Sequence, residues 1–173
     1  INELRVFYLK NKKKLDVFAN KETSNYLLKS FAYCFENNYG YPSIFNLNKL
    51  KKKHKFKSKK KTLLIEPIQV KHGKINSILY KINNSCAYAS DVSMIYKKDL
   101  SKLKNLKYLV VDCLRYDPHP SHFNLDDVLK LISFIKPKKT ILTNMNYEID
   151  YLKVQKFLPK NVVPAYDGMS FLV

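Results

Sequence analysis

Apolar positions along the chain keep two rhythms. In KETSNYLLKSFAYCF (21–35), Leu27, Leu28, Phe31 and Phe35 recur at helical spacing, which predicts a helix. Before it, KLDVFA reads as a short strand, and after it NNYGYPSIF is a loop marked by Gly40 and Pro42. TLLIEPIQV, SILYKI and CAYAS then form three successive strand-like runs. KKDLSKLKNL is a short helix and YLVVDCL a buried strand. NLDDVLKLISFIK carries the clearest helical signal, with Asn124 as N-cap and Asp126 and Asp127 where the helix dipole favours acids. KTILTN is another buried strand, EIDYLKVQKFL a helix stopped by Pro159, and MSFLV a closing strand. Strands alternating with helices after an antiparallel run predict an α/β layered fold in one domain over 1–173.

This pattern delivers polar residues at the ends of four strands. His72 follows IEPIQVK, Asp91 follows CAYAS, Asp112, Arg115, His119 and His122 end or follow YLVVDCL, and Asn144 and Asn146 follow KTILT. Strand C-termini are where α/β folds assemble sites, and histidine with carboxylate is a donor set for zinc or manganese. One such spacing carries little, because a lone histidine is more often a surface or satisfied core residue.

Composition changes the picture in two ways. Three scattered cysteines, Cys34, Cys86 and Cys113, point to reduced thiols and a cytoplasmic setting rather than a disulfide framework. No apolar run is long enough to cross a bilayer, so no membrane partner is expected. The net charge of +18 raises nucleic acid as a partner, but only Arg5 and Arg115 among the 32 basic residues are arginine. Sites that grip phosphate bidentately or read bases favour arginine. With abundant Asn and Ile and only three glycines, the lysines also fit the codon bias of an AT-rich genome. The dense cluster KLKKKHKFKSKKK (49–61) reads first as an exposed loop or edge hairpin, with attraction for an anionic substrate or RNA as the other reading.

The ordered series HGKINSILYKI, YASDVS, LVVDCLRYDPHPSHFNLDDVLKLI, TILTNMNYEIDY and VPAYDGM resembles the C-terminal half of the metallo-β-lactamase-fold hydrolases. Within them it is most similar to the proteobacterial branch of phosphoribosyl cyclic phosphodiesterase type. The resemblance implies a partial αββα sandwich and a pair of divalent metal ions, zinc or manganese. It implies hydrolysis of a small anionic phosphate ester or cyclic phosphate by metal-activated hydroxide, in a chain that can form a homodimer. It makes His72 a metal ligand and Asp91 the carboxylate that bridges both ions. His122 becomes the general acid near the substrate phosphate, with His119 as the alternative or as a loop residue capping the next helix. Asn144 and Asp167 become substrate-side residues, although Asp167 with Gly168 reads equally as a plain turn. Asp112 and Arg115 read as an internal ion pair.

Two departures matter. Asn146 stands where relatives carry a last histidine ligand, and an amide oxygen is a weaker donor than imidazole. The superfamily's His-x-His-x-Asp-His signature is absent, and relatives carry it just before the position of INELR, where this chain opens without a methionine. The expectation is a domain incomplete at its N-terminus. Counting only His72 and Asp91 leaves fewer ligands than a zinc site uses. Three functions stand open: a phosphodiesterase-type metallohydrolase, a non-catalytic descendant, and a basic nucleic-acid-binding module.

Overall fold

The computed structural model describes residues 1–37, 40–58 and 61–173. Residues 38 and 39 of the predicted loop, and Lys59 and Lys60 of the basic cluster, lie outside the described residues. The chain folds as two compact units, Ile1–Lys51 and Lys52–Val173.

The first unit holds α1 (Arg5–Asn11), β1 (Leu15–Ala19), α2 (Lys21–Phe35) and β2 (Phe45–Lys49). The predicted helix over 21–35 is present, started by Asn20, whose side chain accepts from the Thr23 amide at 2.8 Å. Strand β2 runs parallel to β1 and begins at Phe45, the last residue of the predicted loop. Its two asparagines hide it from a pattern search. Asn46 and Asn48 both donate to Asp16 Oδ1 across the pair, at 3.0 and 3.3 Å, so their polarity is satisfied within the ladder. Cys34, Ile44 and Phe45 form this unit's small core, with Phe35 and Phe45 ring centroids 5.4 Å apart.

The second unit is built on a seven-stranded sheet in the order β3-β4-β5-β6-β7-β8-β9. β3 (His54–Ser58), β4 (Lys61–His72), β5 (Ile75–Ile82) and β6 (Cys86–Ala89) pair antiparallel in sequence. β7 (Tyr108–Asp112), β8 (Lys139–Thr143) and β9 (Val162–Pro164) then add in parallel, each reached through a helix. Those helices are α3 (Lys97–Leu100), α4 (Leu125–Ile135) and α5 (Tyr151–Phe157). α4 has the expected capping box: Asn124 accepts from the Asp127 amide at 2.8 Å and Asp127 reaches back to the Asn124 amide. Its buried Val128, Ile132 and Ile135 recur at i, i+4 and i+7. They share one core with Ala87, Ala89, Leu109, Val111 and Leu142 from the sheet.

The predicted closing strand MSFLV is not a strand. Phe171 packs its ring 4.4 Å from Tyr108 and Lys107 donates to the Leu172 carbonyl at 3.1 Å, so this tail is held by side chains. The last strand is β9, which ends at Pro164, a residue with no N–H to offer a further ladder. Among the described residues, no helix is long and apolar enough to cross a membrane.

All three cysteines are buried and free. Burial raises the Cys86 thiol and, together with the charge of Asp112, pushes Cys113 up to about 12. The native chain is therefore expected to leave all three thiols unmodified by a disulfide reagent at pH 8. Titration of three thiols should appear only after denaturant; a fast-reacting thiol in the folded chain would contradict this packing.

Candidate metal centre

Two antiparallel pairings restore direction, so β4 points the same way as β6, β7 and β8. The C-terminal ends of these four strands therefore share one edge of the sheet. His72 closes β4, Asp91 follows β6 by two residues, Asp112 closes β7 and Asn144 follows β8. The segment after β6 then turns back along β4: Lys71 donates to the Met94 carbonyl at 2.9 Å and accepts from the Ser93 amide at 2.7 Å. That pairing draws Asp91 toward His72. The loop after β7 folds over the same edge, with the Phe123 amide on the Val92 carbonyl at 2.8 Å and the Leu114 amide on the Phe123 carbonyl at 2.9 Å. It brings His122 in from above.

The outcome is three ligand atoms, from His72, Asp91 and His122, that all lie within 4.8 Å of one another. The two imidazole centroids are 4.6 Å apart, nearly edge to face. Each ring has one nitrogen already committed. His72 Nδ1 lies 2.7 Å from the Ser121 carbonyl, so it is the protonated nitrogen and Nε2 carries the lone pair. His122 Nδ1 lies 2.5 Å from Asp112 Oδ2, which fixes the same tautomer. Asp91 is exposed and accepts from the Ser90 hydroxyl at 2.8 Å. Two neutral imidazoles and one carboxylate, each oriented by a partner behind it, suit a divalent cation with a further position for water.

Asp112 is fully buried, and one of its oxygens has no hydrogen-bond partner among the described residues. Burial pushes its carboxyl up to about 6, against hydrogen bonds from His122 and the Val92 amide that favour the charged form. The expected Asp112–Arg115 ion pair does not form. Arg115 lies three residues past the strand, where the chain has left the sheet, and it donates to the Asp117 and Pro118 carbonyls at 3.2 and 2.7 Å. Asp112 faces His122 instead, a partnership ten residues apart that no sequence spacing announces.

The other candidates fall around this cluster. His119 sits with its ring centroid 5.2 Å from that of His122. Its Nδ1 accepts from the Ser121 amide at 3.3 Å, leaving Nε2–H as its donor. Partial burial, then Arg115 and the two neighbouring histidines, hold it below the usual histidine range, so it is neutral at neutral pH. Asn144 takes positive φ (59°) and gives its amide hydrogen to the Ser90 carbonyl, tying the end of β8 to the segment that carries Asp91. Asn146 Oδ1 accepts from the Glu148 amide at 3.0 Å and so closes its own turn. Asp167 is exposed in a turn closed by the Met169 amide on the Tyr166 carbonyl at 3.0 Å, with Gly168 at φ +86°.

Gly73 explains the His-Gly pair. It occupies the first central position of the two-residue turn between His72 and Ile75 at φ +60°, where glycine is unstrained. A Cβ there would stand 3.0 Å from Ser121 Cβ and 3.4 Å from its Cα. Gly73→Ala should therefore displace Ser121, whose carbonyl orients His72. We expect a loss of about 1–2 kcal/mol in urea unfolding from the left-handed backbone alone. Zinc affinity should fall about tenfold in addition, as it does when a ligand's supporting partner moves. Unchanged zinc affinity in a destabilised variant would uncouple the turn from the site.

Residues 1–145 match the family described as the beta-lactamase superfamily domain. The octanoyltransferase of Porphyromonas gingivalis (strain ATCC BAA-308 / W83) is 24% identical over 163 residues, covering 93% of this chain and 33% of that protein. The chain thus spans about a third of that relative's length. Among solved structures, a diphosphatase of the PhnP family is 25% identical with a TM-score of 0.78, over 90% of this chain and 57% of that one. The metallo-beta-lactamase fold protein YhfI from Bacillus subtilis is 12% identical with a TM-score of 0.70, over 93% and 66%. By family match and by fold, the chain belongs to the beta-lactamase superfamily and carries the metallo-β-lactamase fold.

Proposed function

We propose that this chain contributes His72, Asp91 and His122 to the active site of a metal-dependent hydrolase acting on a phosphodiester, cyclic phosphate or diphosphate. The convergence of His72, Asp91 and His122 carries this reading. The 25% identity to a diphosphatase of the PhnP family supports phosphate chemistry for the substrate. A divalent cation held there would acidify a bound water and polarise a phosphoryl oxygen. His72 and His122 present Nε2 to it because their Nδ1 positions are fixed, and Asp91 adds the negative charge. His119, whose Nδ1 accepts from the Ser121 amide, keeps Nε2–H to donate to a phosphate oxygen, where a hydrogen bond would offset negative charge, and the departing alkoxide would take its proton from water. His122, the first candidate for a general acid in the sequence, is better employed as the third ligand. One observation favours a non-catalytic descendant: Asn146 spends its amide oxygen on its own turn, which weakens any second ion site.

The test is hydrolysis of bis(4-nitrophenyl) phosphate by the chain incubated with Zn2+ or Mn2+. Activity that needs the metal and disappears with Asp91→Ala supports the proposal. Metal binding without any turnover supports the non-catalytic reading, and turnover indifferent to chelator overturns both.

A further inference from the structure

Part of the lysine cluster lies on the first two strands of the seven-stranded sheet. Among the described residues β3 lies at the edge of the seven-stranded sheet and pairs with β4 alone. Lys52, Lys53, Lys55, Lys57 and Lys61 are all exposed, and none forms an ion pair among the described residues. Between Lys49 and Lys61 nine of thirteen residues are lysine and none is acidic. Lys55, Lys57 and Lys61 gather like charge on the two strands of one hairpin and repel one another, a cost that a polyanion would remove. The hairpin also offers an apolar floor. Phe56 and Leu63 pair across the strands, remain 39% and 40% exposed, and line a hollow of about 290 Å³ with Lys57 and Lys61.

We infer that the β3–β4 hairpin is a docking surface for single-stranded nucleic acid, with lysines on its phosphates and a base against Phe56 and Leu63. Lysine without arginine gives point-charge contacts that hold a backbone without reading sequence. A flat apolar side chain beside them is what stacking platforms for single strands use, and neither an acidic peptide nor a lipid headgroup supplies a base to match it. The surface is separate from the metal centre. Lys61 and His72 are the two ends of β4, eleven residues apart, or about 37 Å along an extended strand. The inference therefore stands independently of the hydrolase reading.

Fluorescence anisotropy of the full chain with labelled dT20, across 50–300 mM salt, tests it. The triple variant Lys55→Gln/Lys57→Gln/Lys61→Gln should weaken binding more than tenfold at 50 mM. It should also flatten the slope of log K against log salt by about 2, at roughly 0.7 for each phosphate no longer neutralised. A control triple on α4, α5 and α3 (Lys130→Gln/Lys153→Gln/Lys97→Gln) removes the same charge and should change the slope by less than half as much. An abasic 20-mer of equal charge should bind several-fold more weakly than dT20. Equal effects of both triples would make the attraction a property of the whole basic surface and overturn the assignment. So would indifference to the bases, or tighter binding to vesicles one-third phosphatidylserine at equal anionic charge.

Discussion

Asp91→Ala is expected to lower the affinity of the chain for Zn2+ by more than about 100-fold, the upper end of what loss of a mere supporting residue costs. Asp91 brings the sole carboxylate to the three-donor cluster, and imidazole coordinates a metal only as a neutral donor. Neutral donors offset little of a divalent ion's lost hydration, and two fall below the number that a zinc site uses. The fold should not notice. Asp91 is exposed and, among the described residues, its side chain hydrogen-bonds the neighbouring Ser90, so the stability of the metal-free chain should change by no more than about 0.5 kcal/mol. Competition with a chromophoric chelator measures the first quantity and urea unfolding the second. Asp91→Asn, which keeps an oxygen donor and loses the charge, should fall between. If Asp91→Ala bound zinc as tightly as the parent, the cluster would not be the metal site.

Asp112 separates support of the site from support of the fold. Its carboxylate accepts from His122 Nδ1 at 2.5 Å and from the buried Val92 amide at 3.2 Å. Asp112→Ala abandons both, and a buried amide left unpaired costs about 1–3 kcal/mol. Asp112→Asn keeps an oxygen where both donors point but withdraws the charge that makes His122 a good ligand. Zinc affinity should fall about 10–100-fold in both variants, whereas only Asp112→Ala should be destabilised by an orphaned amide.

The pH dependence has a definite sign. Burial holds the Asp112 carboxyl at about 6 in the folded chain, against 3.8 ordinarily. Between these values the folded state keeps a proton that the unfolded state has released, so stability of the metal-free chain falls as pH rises from about 4 to about 6. The loss is about 3 kcal/mol and then stays constant. Asp112→Asn has no ionisable group at this position, so the stability of the metal-free variant should not show this fall between about pH 4 and about pH 6. Zinc affinity equal to the parent's in Asp112→Asn would show that the carboxylate's charge does nothing for His122.

How much of this was legible beforehand differs by element. α4 was readable to the residue, because its cap, acidic first turn and apolar stripe are local features that act within one turn of helix. β2 was not, since its asparagines look like loop residues until Asp16 stands opposite them. MSFLV misled in the other direction, as an apolar run with no strand beside it. At the site, His72 and Asp91 were visible through their motif context. His122 stood in the sequence as a candidate acid, but not as a neighbour of either.

By itself, the sequence determined the order of most elements, cysteines outside any disulfide framework, the basic composition and the family to which the chain belongs. Each is written in spacing, composition or ordered motif, and none requires knowing which distant residues meet. Only the tertiary structure decided that β4 and β6 point the same way, so that residues nineteen apart (91 − 72) reach one edge. Only it decided that the loop after β7 returns over that edge, giving Asp112 to His122 rather than to Arg115 and the Ser121 carbonyl to His72. Side chains meet through sheet register and loop closure, and those are properties of the whole packed sheet, not of any stretch of chain within it.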